Sequence, residues 1–261
     1  MNRSREGAMC TLVVLRQPGG RWPLLAAANR DEMRGRSWRA PGRHWPDRPH
    51  VVAGLDEAAG GSWLGVNDQG VLAAVLNRHG TLGRMDDKRS RGLLVLDALD
   101  HGNARSAAEA LGREDPGRYQ PFNLVVADRT DAYWLKHAGP DGTETERGRI
   151  RVEALPSGVS MLTAGNLNDA TDPRIRRHLP RFLKAAPPDP DTDSWDSWTR
   201  LLGVRPPDHA ADPREGMAFE TDSGFATLCS TLVALPAGQA PPVLRFADGP
   251  PDRAPFRPIA A

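Results

Sequence analysis

The feature that most constrains this chain is a pair of short apolar runs near its start, separated by a glycine turn. The first run follows Cys10 over residues 11–15, and the second spans residues 23–28. Pro18-Gly19-Gly20 lies between the runs, and this pattern predicts a β-hairpin. Antiparallel pairing places the start of the first strand beside the end of the second. We therefore expect Cys10 to lie next to the polar tetrapeptide Asn29-Arg30-Asp31-Glu32.

The expected neighbours of Cys10 indicate a chemical role for its thiol. A nearby cation such as Arg30 lowers the pKa of a thiol towards that of a reactive thiolate, so Cys10 is a candidate nucleophile. The structural alternative is that Cys10 is only a small buried side chain and that Arg30 and Asp31 form an ion pair that closes the strand end. Adjacent strand residues point to opposite faces, so Arg30 and Asp31 should not both face Cys10 unless the chain turns there.

Composition excludes several classes of partner. The 261 residues carry a formal net charge of +1, which does not suggest nucleic acid or an anionic membrane as partner. No apolar stretch approaches the ~18 residues of a membrane-spanning helix, and we expect no integral membrane segment and a cytoplasmic location. Two cysteines, Cys10 and Cys229, cannot alone supply a typical four-ligand zinc site, and the seven histidines show no metal-ligand spacing beside them, so no metal is predicted.

The order of the predicted elements favours an α+β domain. Strands fill much of the first eighty residues, and the strongest later strand candidates are residues 121–128, 132–137 and 227–235. Helices are predicted over residues 91–99, 106–111, 173–185 and 196–202. Strands and helices in separate runs are typical of a layered α+β fold. Residues 33–49 lack an apolar period and are interpreted as a long loop.

The predicted domain organisation is simple. Residues 1–8 are interpreted as a disordered or misassigned extension, residues 9–249 as a single domain, and residues 250–261 as a proline-rich, frayed tail. Met9 is a candidate translation start. Its removal would leave Cys10 with a free α-amino group.

Several motifs together resemble the NRDE family, that of the Transport and Golgi organisation protein 2, named for its Asn-Arg-Asp-Glu tetrapeptide. The N-terminal matches are the most specific. The matching stretches are Met9-Cys10-Thr11, residues 27–32, residues 60–66, Asn77, Arg91-Gly92, residues 162–166 and residues 227–231.

The resemblance implies a four-layer αββα sandwich with mainly antiparallel sheets, as in the N-terminal nucleophile hydrolases. It implies that Cys10 attacks an amide or acyl substrate with its own α-amine as base. Arg30 and Asp31 would orient the thiol, and Asn166 would donate to the oxyanion. Asn166 also fits a turn asparagine that follows a glycine.

The remaining candidate residues are assigned to substrate binding or left with a structural alternative. We expect a small-molecule substrate to contact Asn29, Glu32, Trp63 and Asn77, of which the first two could instead cap the strand end. Gly60-Gly61 lacks a phosphate-binding pattern and is interpreted as tight packing.

The alternative function is a carrier that binds haem or a lipid-like ligand, and a third possibility is a scaffold with a structural Cys10. Histidine is a usual haem ligand, and Trp38, His44, Trp45 and His50 lie in or beside the predicted loop. The hydrolase hypothesis requires no cofactor. A basic helix face, formed by Arg174, Arg176, Arg177 and Arg181, is expected to be solvated or to contact a carboxylate or phosphate.

Overall fold

The computed structural model of the chain describes residues 10–81, 83, 85–143 and 148–260. The predicted extension over residues 1–8, and Met9, lie outside this range. The strands of the described part are β1 (Thr11–Arg16), β2 (Leu24–Met33), β3 (Trp38–Gly42), β4 (Val51–Asp56), β5 (Leu64–Asn67), β6 (Leu72–Asn77), β7 (Phe122–Ala127), β8 (Ala132–His137), β9 (Arg151–Ala154), β10 (Gly158–Leu162), β11 (Phe225–Leu235), β12 (Val243–Ala247) and β13 (Phe256–Ile259). The α-helices of the same residues are α1 (Gly92–Leu99), α2 (Ala104–Gly112), α3 (Pro173–Lys184) and α4 (Asp196–Leu202).

These elements form two compact units, each with its own sheet and its own helices. The Cys10 unit consists of Cys10–Arg36 and the described residues from Pro156 onward, and the Ser37 unit consists of Ser37–Leu155. Strands pair antiparallel in both sheets. The predicted α+β class with mainly antiparallel sheets is therefore confirmed, whereas the single domain over residues 9–249 stays a prediction.

The predicted hairpin forms the centre of the Cys10 unit. Its six-stranded sheet has the order β10-β1-β2-β11-β12-β13, and Thr11 at the start of β1 pairs with Asn29 in β2. Alternate apolar residues of the hairpin, such as Val13 and Ala27, pack in one core with residues of α3 and α4. One face of this sheet is thus covered by helices.

A bulge in β11 adjusts the register next to the hairpin. Thr227 pairs with Asp31 and Ser230 pairs with Asn29, so the four residues 227–230 of β11 lie opposite the three residues 29–31 of β2. The extra residue lies between Thr227 and Cys229, where the pairing register shifts. Without the bulge, Thr227 and Ser230 would point to opposite faces of the sheet.

The Ser37 unit is a sequential sheet with two helices packed on it. Its seven strands follow the chain order from β3 to β9, and residues of α1 and α2 form a core with alternate residues of the central strands. A side chain at Gly61 would place its Cβ 2.4 Å from the backbone of Gly92 at the start of α1. Gly61 therefore permits close backbone packing, which supports the packing interpretation of Gly60-Gly61.

Two segments expected to be irregular contain strands at sheet edges. Residues 38–42, inside the predicted long loop, form β3 and pair with β4. Residues 256–259, inside the predicted frayed tail, form β13 and pair with β12. Both expectations were wrong at these positions. Edge strands such as these bury few side chains, so their sequences lack the apolar alternation that reveals interior strands.

The α-helices of the described residues are short. None has both the length and the apolar character that crossing a bilayer requires.

Candidate functional site

The thiol of Cys10 is held against one residue of the neighbouring strand. Cys10 immediately precedes β1 and is partly buried. Its Sγ accepts a hydrogen bond from the backbone N–H of Asp31 at 3.4 Å. The thiol also lies 3.5 Å from the carbonyl oxygen of Asp31, to which its S–H can donate. The predicted proximity of Cys10 to the NRDE tetrapeptide is therefore found, through backbone groups.

The electrostatics of this position keep the thiol protonated. Burial raises the pKa of the Cys10 thiol to about 12, and the Asp31 carboxylate adds to the increase. The Asp31 N–H and the Arg30 guanidinium act in the opposite direction but do not outweigh burial. A cationic neighbour is thus insufficient to produce a thiolate at neutral pH, and deprotonation of this thiol requires a base close to it.

Arg30 shares its sheet face with Cys10, on the side away from α3 and α4. Residues 25 and 27 of β2 point to the helical side, so the alternation of the strand turns Arg30 to the other face. Arg30 is 4% exposed and pairs with Cys229 of β11. Burial raises the pKa of Cys229, although Arg30 opposes this effect. Of the two predicted partners, Arg30 is the one whose side chain lies on the thiol's face.

The carboxylate of Asp31 points to the opposite, helical face. Its Oδ2 accepts a hydrogen bond from Nη1 of Arg174 at 2.8 Å, and its Oδ1 accepts one from the hydroxyl of Thr227 at 2.7 Å. Burial raises the pKa of Asp31, and Arg174 and Thr227 counteract that increase. Asp31 therefore touches the thiol with its peptide groups, whereas its carboxylate belongs to a buried ion pair.

The start of α3 brings Arg174 to this ion pair. Asp172 caps the helix by accepting hydrogen bonds from the backbone N–H groups of Arg174 and Ile175 at 2.8 and 3.2 Å. The other oxygen of Asp172 accepts the hydroxyl of Thr163, the residue that follows β10, at 2.5 Å. The cap therefore fixes the first turn of α3 to the sheet. Arg176 and Arg181 are exposed on the same helix, as expected for a solvated face. Arg174, which was predicted to belong to that face, is instead buried.

Asn29 is bound entirely by the protein. Its amide donates hydrogen bonds to the carbonyl oxygens of Leu202 and Met217 at 3.0 and 2.8 Å. Its Oδ1 accepts a hydrogen bond from the hydroxyl of Ser230. The side chain is buried, on the helical face of the sheet. These contacts support the structural alternative for Asn29 rather than substrate binding.

Glu32 and Asn166 lie in more open positions. Glu32 is partly buried near the end of β2, and its Oε1 accepts a hydrogen bond from the N–H of Met33 at 2.9 Å. Asn166 is exposed in the loop after β10, and its carbonyl oxygen accepts a hydrogen bond from the N–H of Asp169 at 3.4 Å. Leu162, the last residue of β10, pairs with Leu12, so this loop leaves the sheet at the end where β1 begins. An oxyanion role for Asn166 stays a prediction.

Trp63 and Asn77 belong to the Ser37 unit. The ring of Trp63 lies over Gly54, where a Cβ would come within 2.2 Å of it, and meets Trp38 edge to face at 5.8 Å. Asn77 is the last residue of β6 and pairs with Phe122. Substrate binding by Trp63 and Asn77 stays a prediction.

The two histidines considered as haem ligands both have neighbours at Nε2. Nε2 of His44 lies 2.8 Å from the carbonyl oxygen of Ala40. Nε2 of His50 lies 3.5 Å from the carboxylate of Asp100. Trp45 donates its indole N–H to the carbonyl oxygen of Gly60 at 3.0 Å. In the described parts of the chain, no three His, Cys, Asp or Glu side chains are grouped to hold a metal ion.

Three site residues were not identified by sequence reasoning: Thr11, Arg174 and Thr227. Arg174 was grouped with a basic helix face; Asp172-Pro173 before it marks the start of the helix, but this signal does not separate Arg174 from the other arginines of the face. Thr11 and Thr227 lie within apolar strands, where a buried hydroxyl requires a partner. That requirement marks both residues as candidates for a polar network, but it does not identify the partner.

Comparison with known proteins gives a consistent set of relatives. The family model described as Transport and Golgi organisation 2 matches residues 9–210. The Transport and Golgi organization protein 2 homolog of Bos taurus is 37% identical over 116 residues, which is 40% of this chain and 38% of that protein. The Transport and Golgi organization 2 homolog of Mus musculus is 32% identical over 115 residues, again 40% of this chain and 38% of that protein. These alignments therefore cover about two fifths of the length of either relative.

A solved structure shares the fold. The Caenorhabditis elegans ortholog of N-acylethanolamine-hydrolyzing acid amidase aligns with a TM-score of 0.55 and 13% sequence identity. The alignment covers 88% of this chain and 94% of that chain. The chain thus has the fold of an N-terminal nucleophile hydrolase, as the sequence resemblance implied.

Proposed function

The chain belongs to the Transport and Golgi organisation 2 family, and on that premise we propose that it is an N-terminal-nucleophile-type cysteine hydrolase or acyl-transfer enzyme. Its substrate would be a small molecule with an amide or acyl group. Cys10 is the nucleophile in this proposal. The fold shared with an N-terminal nucleophile hydrolase supports the reaction class, but it does not identify the substrate.

The observation that carries the proposal is the position of the Cys10 thiol. Sγ is held by the N–H and the C=O of Asp31 at 3.4 and 3.5 Å, at the start of β1. Arg30 shares this face and favours the thiolate electrostatically. A side chain that only filled space would not require two polar contacts at its sulfur atom.

The proposed reaction requires a free α-amino group on Cys10. In a chain that begins at Cys10, this amine takes the thiol proton, which supplies the missing base. The thiolate attacks the substrate carbonyl carbon, forming a C–S bond and a tetrahedral oxyanion. The C–N bond then breaks, and the leaving amine takes the proton from the ammonium group. Water attacks the carbonyl carbon of the resulting thioester while the α-amine again accepts a proton, which forms a C–O bond. The C–S bond then breaks, the acid leaves, and the thiolate regains its proton from the ammonium group.

Two further residues have roles in this proposal. Arg30 stabilises the thiolate as it forms, because the guanidinium is a fixed cation on the same face. Asn166 donates its amide to the oxyanion, a contribution worth about 3 kcal/mol where such donors have been removed from other enzymes. The exposure of Asn166, near the start of β1, supports access to a bound substrate.

The second candidate function is a carrier that binds haem or a lipid-like molecule without turnover. The raised pKa of Cys10 disfavours nucleophilic attack in a chain in which residues still precede Cys10, and such a chain would serve as a binding scaffold. In such a chain the nitrogen of Cys10 is part of a peptide bond and cannot act as a base.

The experiment that separates the candidates is an intact-mass measurement of the purified native protein before and after iodoacetamide treatment at neutral pH. Peptide mapping would then locate the label. We expect a chain that begins at Cys10 and is alkylated there faster than at Cys229, which has no exposed surface and serves as an internal control.

The substrate class is tested next with a panel of amides. N-acylethanolamines belong in the panel because the C. elegans structural relative is named for hydrolysing them. Turnover that disappears in Cys10→Ala would support the hydrolase. A chain that retains residues before Cys10, with an inert thiol, would contradict it. Titrations with haem and with lipid would then test the carrier.

A further inference from the structure

Arg174 is a cation with no exposed surface whose Nη1 contacts two adjacent strands. Nη1 donates to the hydroxyl oxygen of Thr11 in β1 and to Oδ2 of Asp31 in β2, each at 2.8 Å. A planar guanidinium suits such a bridge, because its donors have fixed directions that a flexible ammonium lacks. One buried group therefore ties the start of β1 to the end of β2.

The two residues that Arg174 holds are the two that position the thiol. Thr11 follows Cys10 in the chain, so its placement restricts the backbone of Cys10. Asp31 provides both polar contacts of Sγ, at 3.4 and 3.5 Å, through its own peptide groups. Arg174 does not touch the thiol, but it fixes both groups that determine where the sulfur lies.

Arg174 is itself held in place by contacts outside the hairpin. Its Nε donates to the carbonyl oxygen of Arg214 at 2.9 Å, and its guanidinium lies 5.0 Å from the ring centre of Phe219. Asp172 fixes its backbone at the start of α3. These contacts restrict the guanidinium to one position, which makes it a rigid support for Thr11 and Asp31.

We propose that Arg174 is a positioning residue for the Cys10 nucleophile, acting through Thr11 and Asp31; this inference rests on the proposed function. Arg174 also neutralises the buried carboxylate of Asp31. Of the charged groups that act on the thiol, Asp31 and Glu32 favour its protonated form and Arg30 favours its thiolate. Loss of the bridge would therefore loosen the thiol, and loss of the Arg174 charge would in addition strengthen the effect of Asp31 on it.

The test is the rate of Cys10 alkylation by iodoacetamide as a function of pH, with the label mapped by peptide mass. Arg174→Lys retains the charge but cannot reproduce the bridge. We expect the apparent pKa of its alkylation profile to move by about one unit, which is about a tenfold change in rate at neutral pH, because the sulfur is no longer held between the N–H and the C=O of Asp31. Thr11→Val removes only one acceptor of the bridge at almost constant volume, and we expect a smaller change in the same direction.

The matched control is Arg205→Lys. Arg205 forms a two-point ion pair with Asp252, at 2.8 Å through both Nε and Nη2, in a partly exposed position of the same unit. This variant makes the same chemical change at an arginine–aspartate pair away from the hairpin. Its alkylation profile should match that of the unmodified protein.

Alkylation needs no substrate, so the inference is tested even if no amide in the panel is hydrolysed. If turnover is found, Arg174→Lys should lower kcat and leave KM nearly unchanged, because the residue acts on the nucleophile. A folded Arg174→Lys protein with an unchanged alkylation profile would overturn the inference. If that variant does not fold, an unchanged profile in Thr11→Val would overturn it.

Discussion

At the scale of single residues, β2 buries Asn29, Arg30 and Asp31 in succession. Burial of polar groups is costly unless hydrogen bonds replace those lost to water. Asn29 and Asp31 meet this requirement on the helical face, with backbone carbonyls, hydroxyl groups and the Arg174 cation. Arg30 lies on the other face with Cys10. The tetrapeptide thus combines a structural anchor with the candidate chemistry.

Replacement of Asn29 by aspartate tests this structural role. In Asn29→Asp, a carboxylate oxygen would face the carbonyl oxygens of Leu202 and Met217, which now accept the amide protons. Loss of both donors, with a buried charge in their place, should lower the free energy of unfolding by about 3 kcal/mol or more. Urea denaturation at pH 7 measures the change.

Glu32→Gln is the control for this substitution, because its side chain is partly exposed and should change stability by at most ~0.5 kcal/mol. An Asn29→Asp protein as stable as the Glu32→Gln protein would show that the Asn29 contacts contribute little.

At the scale of elements, the start of α3 decides the geometry of the site. Asp172 caps two N–H groups of the helix and also binds Thr163 beside β10. The bulge in β11 has a comparable effect, since it turns Thr227 and Ser230 to the same face. A helix cap and one inserted residue therefore place the partners of Asp31 and Asn29.

The cap of α3 should contribute more to stability than an ordinary N-cap. Asn103 caps α2 with one hydrogen bond to the N–H of Ser106 at 2.8 Å and is the matched comparison. We expect Asn103→Ala to cost about 1 kcal/mol. Asp172→Ala should cost about 2–3 kcal/mol, because the buried hydroxyl of Thr163 also loses its acceptor. Equal midpoint shifts in thermal or urea unfolding would contradict this ranking.

At the scale of the whole molecule, the free energy of unfolding should depend on pH through His178. The side chain has no exposed surface, and Nε2 lies 2.9 Å from the carbonyl oxygen of Glu215. Within the described residues, its Nδ1 has no hydrogen-bond partner. Burial lowers the pKa of His178 from 6.5 to about 4, and the nearby arginines 181, 174 and 177 act in the same direction.

The folded state therefore binds the His178 proton more weakly than the unfolded state. Stability from this group is fully present above the unfolded pKa of 6.5 and is lost as the pH falls towards about 4. The shift corresponds to ~3 kcal/mol over that interval. Urea unfolding between pH 7 and 4 should show a steeper loss for the unmodified protein than for His178→Gln.

His209→Gln is the control, because that side chain is exposed in the folded chain and its replacement should leave the pH dependence unchanged. Parallel pH curves for His178→Gln and the unmodified protein would show that the buried histidine does not produce the slope.

The sequence by itself determined the hairpin, the α+β class and most of the element positions. These follow from local patterns: apolar alternation, glycine turns and helix caps act over a few residues. The predicted helix over residues 196–202 has the bounds of α4, and the predicted proximity of Cys10 to the tetrapeptide follows from the pairing of two consecutive strands. Edge strands such as β3 and β13 were missed because they carry little of that alternation.

Only the tertiary structure decided which side chains complete the site. Arg174 and Thr227 reach Asp31 across sequence separations of 143 and 196 residues, and no local pattern specifies such partners. The bulge that turns Thr227 towards Asp31 depends on the pairing of β11 with β2. The raised pKa of Cys10 is likewise a property of the assembled fold. Its largest cause is burial, and a side chain becomes buried only when distant segments pack around it.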